Sequence, residues 1–177
     1  MHPKRSDTHE QPEQESPEQE SSKLIHHADL SRRDIRSLIF HYLYAAEACD
    51  YKTTFDSLVE TYNQEFNLNI PTGSEAYTIS SSIINERDNL DAFYEKLLTN
   101  WRPERISTCT RLILRIGVWE LLRTDTDTRI IINEAIELAK CFAESDAYRF
   151  INGLLDRVVK EGLVPNRMIE ESEEEED

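Results

Sequence analysis

Glycine and proline are scarce: the 177-residue sequence contains four glycines and six prolines. Tight turns between strands depend on these residues, so a fold with many strands is not expected. No apolar run approaches the 18 residues that a membrane-spanning helix requires, which excludes a transmembrane protein. The three cysteines (Cys49, Cys109 and Cys141) are scattered and lack a CxxC spacing. They argue against a disulfide framework or a zinc site and indicate a reducing, cytoplasmic compartment.

Sequence motifs of catalysis are lacking as well. There is no glycine-rich phosphate loop, no GxSxG, no HExxH and no cysteine–histidine group at metal-ligand spacing. Four of the five histidines lie within the first 27 residues, and His41 fits the surface of a helix better than a ligand set. The sequence therefore predicts no enzyme, no cofactor and no metal site.

Positive charge is in deficit, with 20 Lys and Arg against 35 Asp and Glu and a net charge of -15. Such a balance argues against general attraction to nucleic acids or anionic membranes. Two thirds of the excess negative charge lies in residues 1–29 and 164–177, which have few apolar side chains, so both segments are expected to be disordered. The N-terminal segment has no signal-peptide pattern. We expect one folded domain at 30–163.

What the sequence does contain is helical periodicity. Apolar residues of the first predicted helix recur at i, i+3, i+4, i+7 and i+8 along Ile35, Leu38, Ile39, Tyr42, Leu43 and Ala46. Similar stripes recur up to about residue 158, without strand alternation of useful length. The pattern predicts an all-α fold of six or seven helices around one core.

Helix boundaries and packing can be predicted at four positions. Ser31 is placed to cap the first helix and Ser145 the last one. The helical region 74–100 is expected to be interrupted near Asp88. Gly153 lies inside a helix, where glycine costs about 1 kcal/mol, so it is expected to mark a close approach between two helices.

Three arginines crowd the start of the first helix: Arg32, Arg33 and Arg36. Guanidinium groups bind phosphates through paired hydrogen bonds, and an aromatic ring on the same arc, such as Phe40 or Tyr44, would offer a stacking face for an unpaired base. The three cations alone would bind weakly and in a salt-dependent manner, and Asp34 would weaken them further. The alternative is a solvated helix start with the two rings at the edge of the core.

A second segment mixes the same residue types at the junction of the last two helices. It contains Phe142, Asp146, Tyr148 and Arg149. From the residues alone, a helix cap with ordinary packing explains it better than a binding site does.

Three strings of the C-terminal half carry a specific resemblance. They read Arg-Leu-Ile-Leu-Arg-Ile-Gly-Val-Trp-Glu-Leu-Leu from 111, Ile-Asn-Glu-Ala-Ile-Glu-Leu-Ala-Lys from 132 and Phe-Ile-Asn-Gly-Leu-Leu-Asp from 150. Together with Arg-Arg-x-x-Arg at 32–36 they closely resemble the NusB family of bacterial transcription antitermination factors. The resemblance covers about 31–160, is strong from 106 onward and is thin between 50 and 100.

The resemblance implies a fold of about seven helices in two packed subbundles. It also implies binding to boxA RNA of ribosomal RNA leader transcripts together with NusE, a ribosomal small-subunit protein, and assembly of an antitermination complex on RNA polymerase. The RNA contacts of the family map here onto Arg32, Arg33, Arg36, Phe142, Asp146 and Arg149. Tyr44 matches a position near the NusE-facing side.

Two other functional classes stay open at the sequence level. The acidic balance and Asp34 fit a protein–protein adaptor of the same fold with weak or lost RNA binding. A NusB-like module also occurs in ribosomal RNA cytosine methyltransferases, but no glycine-rich cofactor loop or catalytic cysteine context is present here. Family members occur as monomers and as homodimers, so the oligomeric state stays open.

Overall fold

The computed structural model describes residues 24–98 and 102–165. The predicted tails therefore lie outside the described residues, apart from residues 24–29 and 164–165. Within the described ranges there are six α-helices: α1 (Arg32–Ala48), α2 (Phe55–Glu65), α3 (Glu75–Glu95), α4 (Thr108–Arg123), α5 (Thr128–Phe142) and α6 (Ala147–Lys160). Two short 3-10 helices cover His27–Asp29 and Pro103–Arg105. The predicted all-α fold is confirmed.

The helices form two groups that share α4. Helices α1, α2 and α3 pack together, as do α4, α5 and α6, and α4 also contacts α1 and α3. Helix α4 is accordingly the most buried, with fully buried Leu112, Ile113, Leu114 and Leu121 around its circumference. A helix that is buried on all sides lies at the centre of a domain.

A two-residue parallel strand pair ties the N-terminal segment to the loop before α3. Strand β1 (Ile25–His26) pairs with β2 (Leu68–Asn69), and the Ile25 N–H donates to the Asn67 carbonyl at 3.0 Å. Strands this short show no alternation, which is why the periodicity of the sequence does not predict them. Residues 25–29, which the sequence analysis places in the N-terminal tail, thus form regular secondary structure.

Ser31 caps α1 as predicted, because its hydroxyl accepts the Asp34 N–H and Asp34 accepts the Ser31 N–H in return. The prediction for Ser145 is wrong. The cap position of α6 belongs to Asp146, without a side-chain cap hydrogen bond. The chain enters α6 through a turn in which the Ala147 N–H bonds to the Glu144 carbonyl, so the backbone does not present Ser145 to the helix end.

The predicted interruption of α3 near Asp88 is also wrong, since the helix runs unbroken from Glu75 to Glu95. Asp88 and its neighbour Asn89 are poor helix formers, but propensity is a weak preference that tertiary packing overrides. Buried residues on both sides, Ile83 at 0% exposure and Leu90 at 3%, hold this stretch against the core.

Glycine marks a close helix approach, but not at the predicted position. A Cβ atom added at Gly153 would meet nothing within 4 Å, so the expectation for that residue is wrong. At Gly117 on α4, an added Cβ would lie 2.8 Å from Cδ1 of Leu155 on α6. Leu155 is fully buried and cannot move aside freely. Gly117 is therefore the residue that allows α4 and α6 to approach each other.

The two glycines predict opposite responses to the same substitution. Gly153→Ala is expected to raise the free energy of unfolding by about 0.5–1 kcal/mol, because alanine is the better helix former and finds open space. Gly117→Ala is expected to lower it by about 1–3 kcal/mol, because the methyl group overlaps Leu155. Urea unfolding of both variants measures this difference, and equal effects would contradict the packing described.

Candidate nucleic-acid interface

The cap of α1 determines what Asp34 does within the arginine cluster. Its carboxylate accepts hydrogen bonds from the Ser31 side chain at 2.6 Å and from the Ser31 backbone at 3.0 Å. These bonds, with the nearby charge of Arg33, hold the pKa of Asp34 below its usual value. The negative charge that the sequence placed among the arginines thus stays there at neutral pH and stabilises the helix start.

The three arginines of α1 occupy different environments. Arg36 is buried, with 7% of its side chain exposed, and its Nε lies 2.9 Å from Oε1 of Glu120 on α4. Arg33 is largely exposed and Arg32 is exposed. Contact between Arg36 and RNA stays a prediction, but the geometry gives this residue a structural contact with α4.

Arg33 reaches across to α5 and forms a two-pronged ion pair. Its Nη2 donates to Oε1 of Glu134 at 2.8 Å and its Nε donates to Oε2 at 3.2 Å. Hydrogen bonding and charge from Glu134 raise the pKa of Arg33, and the hydrogen bond from Arg33 lowers the pKa of Glu134. The structure shows no ion pair between the Arg32 side chain and another described residue.

Aromatic stacking joins the same two helices further along. The rings of Phe40 and Phe142 are nearly parallel, with centroids 4.5 Å apart, and His41 meets Phe142 edge-on at 5.1 Å. Phe40 is buried, so it packs rather than offering a face to a base. Tyr44 stacks on Phe40 at 6.2 Å and is 46% exposed, which leaves it available to a partner.

Helices α1 and α5 consequently run side by side in the same direction. The pairs Arg33–Glu134 and Phe40–Phe142 advance by seven residues on α1 and eight on α5, which is about 10–12 Å along each axis. A groove of about 220 Å³ lies between the helices, lined by Arg33, Asp34, Ser37, Glu134, Glu137, Leu138, Cys141 and Phe142. One groove thereby connects the arginine-rich start of α1 with the segment that begins at Phe142.

The remaining predicted residues lie where α5 ends and α6 begins. Asp146 and Arg149 are exposed, with Arg149 Nη1 3.7 Å from Asp146 Oδ1. Arg149 Nε also donates to the Tyr148 hydroxyl at 3.1 Å. Because both charges are solvated, they can exchange these contacts for a ligand at little cost. We give the name α1–α5 surface to the exposed residues Arg32, Arg33, Asp146 and Arg149 together with the partly buried Phe142.

Sequence reasoning missed two residues that shape this surface, Glu134 and Glu120. Glu134 pairs with Arg33, an exposed residue of the arginine cluster. Glu120 is buried and pairs with Arg36. A signal did exist for Glu120, since it falls within the apolar run of α4, where an acid requires a buried cation.

Comparison with known proteins decides the family. The sequence profile of the NusB family matches residues 33–160. The transcription antitermination protein NusB of Thermodesulfovibrio yellowstonii is 30% identical over 150 residues, covering 80% of this chain and 99% of its relative. The chain belongs to the NusB family. The NusB protein of Staphylococcus carnosus is 32% identical, with 73% of this chain and 99% of that protein covered.

Solved NusB structures agree with the architecture. The crystal structure of Thermotoga maritima NusB superposes with a TM-score of 0.65 at 28% identity, covering 75% of this chain and 92% of the other. A complex of the antitermination factors NusB and NusE with double-stranded RNA contains a chain with a TM-score of 0.62. At 23% identity, this second match shows the NusB fold alone.

Three further observations concern membrane spans, metal sites and cysteines. Within the described ranges, no helix is long and apolar enough to cross a membrane. The same residues include no group of three His, Cys, Asp or Glu side chains that could hold a metal ion. The three cysteines are free thiols, with Cys49 and Cys141 exposed.

Proposed function

We propose that this NusB-family chain is a cytoplasmic transcription antitermination factor that binds single-stranded boxA-type RNA together with NusE. The complex would support antitermination by RNA polymerase. Relatives matched over nearly their full length are transcription antitermination proteins. The observation that carries the proposal is the groove between α1 and α5, because it connects the exposed Arg33 of α1 to Phe142. Asp146 and Arg149 follow at the adjoining helix junction.

Each part of the α1–α5 surface has a distinct role in this proposal. Arg32, Arg33 and Arg149 bind phosphates, which fixes the RNA backbone without reading its sequence. Phe142 provides an apolar edge beside a base, and Asp146 accepts a hydrogen bond from a base amino group. Arg36 orients the start of α1 through Glu120 rather than by reaching solvent. Tyr44, exposed above Phe40, contributes to the NusE contact.

One observation favours the second candidate, an adaptor that binds NusE with little help from RNA. Two of the three arginines of α1 are already paired with acids of the protein, Arg33 with Glu134 and Arg36 with Glu120. Phosphate must therefore compete for Arg33. The adaptor would associate with NusE normally while showing no salt-dependent contribution from RNA.

The test is a titration of boxA-type RNA with NusE present, repeated over a series of salt concentrations. Arg32→Ala/Arg33→Ala is expected to weaken binding about tenfold and to reduce the magnitude of the log–log salt slope by about 1.4, since each phosphate contact on a single strand contributes about 0.7. The comparison variant is Lys96→Ala/Lys160→Ala, which removes two exposed positive charges away from the α1–α5 surface.

Three results are informative. A loss confined to the arginine variant supports RNA binding at this surface. Equal losses in both variants would indicate general charge attraction and would remove the site assignment. A salt slope near zero for the wild type, with NusE association intact, would favour the adaptor.

A further inference from the structure

Glu134 holds the edge of Arg33 that a phosphate would use. The Nε and Nη2 groups of Arg33 both donate to the Glu134 carboxylate, at 3.2 and 2.8 Å. This edge-on pairing of two parallel N–H groups is also the geometry in which arginine binds phosphate. RNA can engage Arg33 in that geometry only by displacing Glu134.

The Arg33–Glu134 ion pair forms in the free protein, but a ligand can displace it. Glu134 is 17% exposed and is held on α5, with Arg36 Nη1 4.0 Å from its other side, whereas Arg33 is 64% exposed. The carboxylate therefore stays in place while the arginine is free to swing outward. Because Arg33 is largely exposed, solvent weakens its attraction to Glu134, so a phosphate that makes the same paired contact can replace the carboxylate.

We propose that Glu134 determines the RNA affinity of the α1–α5 surface by competing with RNA phosphate for Arg33. The proposal rests on the RNA-binding function above. Its consequence is that phosphate contacts on α1 alone bind weakly, so stable binding also requires contacts at the α5–α6 junction or NusE. Glu134 thus favours specific RNA over general polyanions without touching a base.

A second acid on α5 provides a matched control. Glu137 lies one turn further along the same helix and lines the same groove, but it is paired with Lys140 at 2.8 Å. Glu134→Gln and Glu137→Gln each remove one negative charge from this groove. Only the first variant changes a direct partner of Arg33.

The experiment is a double-mutant cycle in RNA binding, with wild type, Glu134→Gln, Arg33→Ala and the double variant, in the presence of NusE. Glu134→Gln is expected to tighten RNA binding about threefold and to steepen the salt slope by up to about 0.7. In the Arg33→Ala background the same substitution is expected to give no gain. Glu137→Gln is expected to give a smaller gain that is the same with or without Arg33.

Several results would overturn the inference. A gain from Glu134→Gln that survives in the Arg33→Ala background would mean that only long-range charge is involved. Weaker binding by Glu134→Gln would mean that Glu134 positions Arg33 for RNA instead of competing with it. If none of the variants binds RNA, the proposed function falls together with the inference. If all bind but the cycle shows no coupling, only the inference falls. Matching melting temperatures for the four proteins exclude a folding defect.

Discussion

Glu120→Ala is expected to lower the free energy of unfolding by about 3–5 kcal/mol, because it leaves the buried guanidinium of Arg36 without its partner. Both Nε contacts of Arg36, at 2.9 and 3.1 Å, go to the Glu120 carboxylate. The nearest other acid, Glu134, is 4.0 Å from Arg36 and is already engaged by Arg33. Arginine does not lose its proton in proteins, so the orphaned charge cannot neutralise itself.

The opposite substitution, Arg36→Met, is expected to behave differently with pH. Burial raises the pKa of Glu120 above its usual value, and the hydrogen bond from Arg36 offsets only part of that effect. Without Arg36 the carboxyl group of Glu120 can take up a proton. The stability lost in Arg36→Met is then limited to about 1.4 kcal/mol for each pH unit above the ordinary glutamate pKa of about 4.3. The penalty should therefore shrink as the pH falls from 7 to 4.5, whereas that of Glu120→Ala should persist.

Urea unfolding at pH 7 and pH 4.5 measures both effects. The pKa of Glu120 is raised in the folded state, so ionisation of this group opposes folding. Stability therefore falls as the pH rises from the ordinary glutamate pKa through the pKa of folded Glu120. Glu60→Ala, at an exposed position of α2, is the control and should change stability by less than about 0.5 kcal/mol. Arg36→Met/Glu120→Leu should recover most of the loss, since an apolar pair can replace a buried ion pair. An unrecovered loss would show that packing at these two positions, rather than the unpaired charge, is responsible.

The elements of the fold were largely predictable because each helix carries its own signal. The stripe from Ile35 to Ala46 placed α1, and Ser31 gave its first residue. The errors occurred where tertiary contacts override local preference, as at Asp88 within α3. The two glycines illustrate the same limit. Whether a neighbouring helix comes close to Gly117 or to Gly153 depends on where Leu155 packs, and no local pattern encodes that.

The composition of the candidate site was predictable, but its pairing was not. The sequence identified the three arginines and treated them as equivalent. Their partners are 84 and 101 residues away, on α4 and α5, so the distinction between buried Arg36 and exposed Arg33 is made by the packing of distant helices. The same packing brings Phe142 onto Phe40 and thereby connects the two candidate segments.

A second large loss of stability is expected from Arg115→Met, about 3 kcal/mol at pH 7. The Arg115 side chain is 6% exposed and donates to both oxygens of Asp91 on α3, at 2.8 and 2.6 Å. It also donates to Glu47 on α1 and to the Tyr51 hydroxyl, both at 3.0 Å. Tyr51 has a left-handed backbone, with φ of 55°, so these bonds also hold an unfavourable turn after α1.

The contribution of Glu47, the acid that Arg115 holds on α1, should depend on pH in the direction opposite to that of Glu120. Burial alone would raise the pKa of Glu47, but hydrogen bonds from Tyr51 and Arg115 and the charge of Arg111 outweigh it and hold the pKa below its usual value. A group with a lowered pKa stabilises the folded state at pH values above the ordinary glutamate pKa. This contribution disappears as the pH falls through the pKa of the folded state. The wild type and Arg115→Met should therefore converge in stability between about pH 5 and pH 3.

Arg123→Met separates this buried network from an ordinary surface contact. Arg123 also lies on α4 and pairs with Glu86 on α3, but 54% of its side chain is exposed. Exposed pairs contribute at most about 1 kcal/mol, so the loss should be several times smaller than for Arg115→Met. Arg115→Lys keeps the charge but cannot form the two-pronged contact with Asp91, so an intermediate loss is expected. If Arg115→Met cost the same at pH 3 as at pH 7, the ion pairs would not be what joins α4 to α1 and α3.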